Sequence, residues 1–273
     1  MNETPLYRYG DKQLFAGDFR RALQEVAVAV GDLCYCHTAM SAFGRFPIDG
    51  HEIVAHLANV LGDAVGVRDS GTLMLPAFCF DFYEGKTYDP VATPGRTGAL
   101  NEYIREIPGT VRTEHPTFSS VLWGCSRRGL AHLDMDAFGQ HSVFGVLHRE
   151  DCRPYLAGKI LCFGVPFWKC ATFVHYVEQC WGVPYRTMKV FTGKVLVDGN
   201  EQWQTCSHFA RPLDGSIVAD FRELENRLRE NGDMKVASVG NGEITCVSAN
   251  AVYKTAWTML DDDPYSLVER REA

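Results

Sequence analysis

Four short apolar runs set the main constraint on this chain. Residues 33–37, 72–75, 120–123 and 160–163 are close to continuously apolar. Runs of that length and character suit strands buried on both faces. Helical spacing fills the gaps between them. Phe19, Leu23, Val26 and Val30 recur every three or four residues before Gly31. Ile53, Val54, Leu57, Val60 and Leu61 do the same before Gly62. A glycine just past such a pattern marks a helix stop. Ser142 is placed to cap a helix running to Leu147, and residues 173–180 read as another helix. Strands interleaved with helices predict α/β layers.

The texture changes after Tyr185. Residues 189–197 and 202–209 flank Asp198-Gly199-Asn200, and residues 234–239 and 243–247 flank Gly240-Asn241-Gly242. Both are hairpin signals. Phe221, Leu224 and Leu228 mark a helix with Asp220 as its N-cap, and Ser248 caps a last helix before Asp263-Pro264. The reading is an α/β core over residues 1–184 and a hairpin-rich α+β extension over 185–273, as parts of one domain. A chain of 273 residues is ample for such a core.

Several function classes fall away. The net charge is −7, from 27 basic and 34 acidic residues, and the aromatics are not interleaved with basic stripes. Neither feature suits a nucleic-acid surface. No run of about 18 apolar residues exists, so no membrane span is expected. Residues 1–10 are polar and lack a signal-peptide core, which predicts a cytoplasmic protein. Ten cysteines (Cys34, Cys36, Cys79, Cys125, Cys152, Cys162, Cys170, Cys180, Cys206 and Cys246) are scattered without a C-x-x-C pair. They read as small core hydrophobes, and no metal is expected. There is no G-x-G-x-x-G, Walker loop, H-E-x-x-H or nucleophile elbow; Gly139-Gln140-His141-Ser142 does not match the last.

Three segments carry candidate chemistry. Cys36-His37-Thr38-Ala39-Met40-Ser41 leaves a strand end, where open α/β sheets bind ligands. Arg112-Thr113-Glu114-His115-Pro116-Thr117-Phe118-Ser119-Ser120 gathers a cation, an imidazole and hydroxyls in a proline-broken loop, a set able to meet a phosphate. In Thr172-Phe173-Val174-His175-Tyr176-Val177-Glu178, His175 and Glu178 are helical neighbours at i and i+3. A carboxylate there fixes the imidazole tautomer and raises its basicity, as amine acylation requires.

In order, these segments resemble the aminoglycoside 3-N-acetyltransferase family, well over residues 14–190 and weakly beyond. The resemblance rests on Gly31-Asp32 with the Cys36 to Gly44 loop, on Gly71-Thr72-Leu73 running to Pro76, and on Asp89-Pro90 with Gly98-Ala99-Leu100-Asn101-Glu102. It continues through Pro108-Gly109, Arg112-Thr113, His115-Pro116, Ser119 and Gly124, then Gly139, Ser142 and Leu147, and closes on Leu161, Gly164, Thr172, His175 and Glu178. Phe118 stands where many members carry a second histidine. The resemblance implies a three-layer α/β/α sandwich with an added α+β C-terminal extension. It implies acyl transfer from acetyl-CoA or another acyl-CoA to an amine, without a covalent enzyme intermediate and without metal. His175 is then the general base and Glu178 its orienting partner. His37, Thr38, Ala39, Met40, Ser41, Arg112, Thr113, His115 and Ser119 line the CoA arm, and backbone N–H groups nearby receive the oxyanion.

Two acceptors are in view. A nucleotide-linked amino sugar, the first expectation, suits Trp168-Lys169, Tyr185-Arg186 and the segment from His208 to Arg211. An aminoglycoside, the alternative, suits the carboxylates Asp81, Glu84, Asp89, Asp214 and Asp220. A metal-dependent hydrolase built on His37, His115 and His175, and a CoA- or sugar-binding protein without catalysis, are the readings from other classes. A homodimer is left open.

Overall fold

The computed structural model describes residues 4–125, 130, 133–148 and 158–271. A small pair, β1 (Tyr7–Tyr9) and β2 (Lys12–Leu14), leads into α1 (Ala16–Glu25). There follow β3 (Leu33–Thr38), α2 (Gly50–Val65), β4 (Thr72–Pro76), α3 (Ala99–Arg105), β5 (Val111–Arg112) and β6 (Ser120–Gly124). Next come α4 (Val143–His148), β7 (Gly158–Phe163), α5 (Phe167–Cys170) and α6 (Phe173–Trp181). The remainder is β8 (Thr187–Val197), β9 (Asn200–Ala210), β10 (Ile217–Ala219), α7 (Arg222–Glu230), β11 (Lys235–Val239), β12 (Gly242–Ser248), α8 (Ala249–Asp262) and β13 (Val268–Arg270).

Among the described residues, seven strands form one mixed sheet in the order β11-β12-β7-β3-β4-β6-β5. Its middle, β7-β3-β4, is parallel, and its outer pairs are antiparallel. Successive side chains of a strand point to opposite faces, and both faces are covered. Leu33, Tyr35, Met74, Ile160 and Cys162 pack on one face with residues of α4, α6, α7 and α8. Cys34, Cys36, Leu73, Leu75, Leu161 and Phe163 pack on the other with α1, α2 and α3. This is the expected α/β sandwich. Two of the seven strands, β11 and β12, come from beyond residue 184, so the sheet itself crosses the division between core and extension.

Two helix ends differ from expectation. α1 stops at Glu25, and the chain turns through Ala27 at φ 60°, leaving Val30 half exposed. α2 runs past Gly62 to Val65 and ends on left-handed Gly66. Gly62 is an interior glycine for a packing reason: a Cβ there would lie 2.7 Å from the Trp123 ring. Ser142 and Ser248 accept from Gly145 and Ala251 N–H as caps do. Asp220 accepts from the Arg222 N–H, but the cap position of α7 is Phe221.

The β8–β9 hairpin stands apart from the main sheet. Its turn has positive φ at Asp198 and Gly199, the type I′ geometry that the Asp-Gly pair favours. Its strands begin and end further out than the sequence pattern indicates. Phe82, Tyr88, Val195 and Cys206 form a small core beneath it. Single bridges, Tyr88 to Val195 and Asp136 to Ser207, attach its two edges.

Candidate active site

α6 presents His175 and Glu178 one turn apart, as their spacing requires. Glu178 is fully buried, while 22% of the His175 side chain is exposed. His175 Nδ1 lies 2.7 Å from Glu178 Oε2. Arg186, just before β8, brings Nη2 to 2.8 Å from the same Oε2 and 2.9 Å from His175 Nδ1. Tyr185 Oη donates to Glu178 Oε1 at 2.7 Å. Arg186 Nη1 donates to the Phe209 carbonyl at the end of β9 (3.1 Å), which ties the base of the hairpin to α6.

The charges of this group follow from its contacts. Burial acts to raise the Glu178 carboxyl, but Arg186, His175 and Tyr185 together hold it below its ordinary value. The carboxylate is therefore ionised. Burial first, and then the Arg186 charge, hold the His175 imidazole below its ordinary value against the pull of Glu178. The imidazole is therefore neutral at rest. An Nδ1–H that donates to Oε2 cannot also accept from a guanidinium, so Arg186 donates to the carboxylate. Nε2 is left as the nitrogen able to take a proton.

His175 lines a cavity of about 280 Å³ with Trp168, Lys169, Thr172 and Phe221. Trp168 carries Lys169 Nζ at 4.9 Å and the Arg222 guanidinium at 5.8 Å from its ring. Behind the imidazole runs a line of rings. Phe138 meets His175 edge-on, Phe118 packs on Phe138, and Phe78, Phe80 and His208 surround Phe118. Phe118 is the hub of this wall. His208 Nδ1 pairs with Tyr83 Oη at 2.9 Å, and burial, with the Arg186 charge, lowers His208 to about 4.

Other expected site residues are placed differently. Arg112, expected to meet a phosphate, directs all three nitrogens inward: Nε to Ser119 Oγ, Nη1 to the Thr93 carbonyl and Nη2 to the Ala77 carbonyl. Ser119 Oγ donates to the same Ala77 carbonyl, and Thr113 Oγ1 accepts from the Ser120 N–H. His115 Nδ1 accepts from the Phe118 N–H, Nε2 pairs with the Ser207 carbonyl, and burial lowers it to about 4. Arg112, Thr113, His115 and Ser119 are thus brought together as an interior knot whose polar groups are already engaged. At the end of β3, His37 is buried and lowered to about 4, and its Nε2 has no partner. Thr38 donates to Asn101, Ala39 N–H to the Phe163 carbonyl, Met40 is half-buried and Ser41 is exposed.

Trp168 shares the cavity with His175. Tyr185, expected to touch the acceptor, is buried against Glu178. Asp81 pairs with Arg96 and Lys86, and Glu84 with Lys86, under the hairpin. Asp214 closes an exposed turn on Ser216. None of these three lines the cavity beside His175. Arg186 and His208 were not assigned to the dyad from sequence. The one signal for Arg186 is that an interior carboxylate beside a neutral imidazole still requires a cation. Among the described residues, no group of three or more His, Cys, Asp or Glu side chains is arranged to hold a metal ion, and the nine described cysteines are free thiols. Cys152 lies outside the described residues. No described helix is long and apolar enough to cross a membrane.

Residues 36–261 match the family model described as aminoglycoside 3-N-acetyltransferase. Aminoglycoside N(3)-acetyltransferase VII of Streptomyces paromomycinus is 28% identical over 266 residues, covering 88% of this chain and 87% of its own. Aminoglycoside N(3)-acetyltransferase III of a Salmonella species is 28% identical, over 76% and 73%. Among solved structures, AAC-IIIb in binary complex with CoASH superposes with a TM-score of 0.73 at 22% identity, covering 90% of this chain and 96% of that one. Sisomicin-bound AAC-VIa gives 0.75 at 22%, over 95% and 99%. These structural likenesses establish a shared fold, and the match over residues 36–261 establishes the lineage: the chain belongs to the aminoglycoside 3-N-acetyltransferase family.

Proposed function

We propose that this chain transfers an acetyl group from acetyl-CoA to a primary amine of an aminoglycoside, with His175 as general base. The observation that carries the reading is the buried Glu178 carboxylate on Nδ1 of a partly open imidazole, which leaves Nε2 to act. The amine nitrogen attacks the thioester carbonyl, and Nε2 takes the proton the amine gives up. The tetrahedral intermediate collapses as the C–S bond breaks, and the imidazolium returns the proton to the departing sulfur. Glu178 fixes the tautomer throughout. The relatives above are named for aminoglycosides, which favours that acceptor over the nucleotide-linked amino sugar first expected. Lys169 beside Trp168 is the observation in favour of an anionic ligand, and the phosphates of CoA account for it equally well; Arg222 is already paired with Asp220.

The test measures CoA release with an aminoglycoside and, in parallel, a nucleotide-linked amino sugar. His175→Ala is expected to lower kcat about 100-fold or more, with calorimetric CoA affinity nearly unchanged. Undiminished turnover in that variant would sink the mechanism. Turnover confined to the nucleotide sugar would transfer the reading to that acceptor.

A further inference from the structure

Glu178 has one more cationic contact than a base-orienting carboxylate needs. Arg186 is buried with it, and its Nε has no hydrogen-bond partner. A brace that served only to join the hairpin to α6 would do so at lower desolvation cost with neutral donors. Here a full charge is buried instead, its Nη2 within 2.9 Å of the imidazole whose protonation the reaction turns on.

The groups that face His175 come from several elements. Glu178 is on its own helix, Arg186 precedes β8, His208 is on β9 and Arg211 lies beyond β9. Phe138 and Phe221 present rings, and Lys169 and Thr172 share the cavity. Of these, only Glu178 is anionic. With Arg186 present, that carboxylate has its counter-ion and the trio of Glu178, Arg186 and His175 is neutral with an uncharged imidazole. With Arg186 gone, the buried carboxylate is left with His175 as its closest group able to become cationic, and it draws a proton there. An imidazolium at rest is no base.

We propose that Arg186 is a positioning residue of the reaction: as the permanent counter-cation of Glu178, it keeps the resting imidazole of His175 unprotonated and so ready to take the proton of the amine. The inference rests on His175 being the base. The same contact makes the imidazolium formed during attack a stronger acid. When the C–N bond has formed and the C–S bond breaks, its proton passes to sulfur and the trio returns to neutrality.

The test is the acid limb of kcat/KM against pH in Arg186→Gln and Arg186→Lys, read beside the NMR titration of the His175 ring in the same proteins. In Arg186→Gln the limb and the ring titration are expected to move together to higher pH by about one unit or more, with activity recovering above the limb. Arg186→Lys, which keeps the charge, is expected to hold both near their original position. An unmoved limb in folded Arg186→Gln overturns the proposal. If Arg186→Gln does not fold, the neutral Arg186→Met is read in its place: a limb moved upward supports the proposal, and an unmoved limb overturns it. His175→Ala in the same assay separates the two readings. Activity retained there removes the base itself, while activity lost there with an unmoved limb in Arg186→Gln removes only the role of Arg186.

Discussion

At the scale of single residues, what distinguishes the site from its surroundings is which polar groups are already satisfied. Tyr185 illustrates a side chain whose partner decides its role. Its hydroxyl donates to Glu178 Oε1 at 2.7 Å inside the protein. Tyr185→Phe is expected to lower stability by about 2 kcal/mol, the scale of a lost hydrogen bond to a charged group. It should also lower kcat more than it raises KM, because the carboxylate that orients His175 loses a tether. Chemical denaturation and steady-state kinetics check the two halves, and a wild-type kcat would show that the tether is dispensable. The His175–Glu178 pair was legible in the sequence because its spacing is set by one helical turn. Arg186 was not, since eight residues and a change of element separate it from Glu178. Arg112 reads as a cation free for a phosphate until Ser119, just before β6, and the carbonyls of Ala77, just after β4, and Thr93 are seen to supply the acceptors that consume it.

At the scale of elements, local signals foretell where a strand or helix exists better than where it ends. The Asp198-Gly199 turn is encoded by the two residues that adopt it, and the hairpin follows. The end of α2 is decided elsewhere. Gly62 resembles a stop because glycine is common past helix ends, yet its lack of a side chain answers to Trp123 on β6. Gly62→Ala therefore tests packing against propensity. Helix propensity alone favours alanine by about 1 kcal/mol. The Trp123 ring at 2.7 Å from the new Cβ reverses the sign, and a net loss of about 1–3 kcal/mol is expected in denaturant titration. A gain in stability would show that the ring moves aside freely.

At the scale of the whole molecule, burial of neutral histidines links stability to acid. His37 and His115 are lowered from 6.5 to about 4 by burial. A lowered folded value means that the unfolded chain binds more protons between those limits, so stability is complete above pH 6.5 and declines toward pH 4. Each group contributes up to about 1.4 kcal/mol per pH unit in that window. His208, more exposed, adds less. Denaturation midpoints measured from pH 7.5 to 4.5 should show the decline, and His115→Gln should flatten it; a midpoint constant over that range would contradict the neutral assignment. The central layers were legible because four apolar runs alternate with helical periodicity. The edge was not, because nothing in residues 235–248 marks β7, some 80 residues earlier, as the partner of β12. That pairing has a consequence for how the protein is made. As the chain leaves the ribosome, β7 emerges with β3 available on one side and a bare row of N–H and C=O groups on the other, a template for association with other chains. The row is covered only after Ser248 has been synthesised. A product ended at residue 184 is thus expected to aggregate rather than fold, although it carries both His175 and Glu178; the last third of the message covers that edge as well as supplying Tyr185, Arg186 and Phe221 to the site.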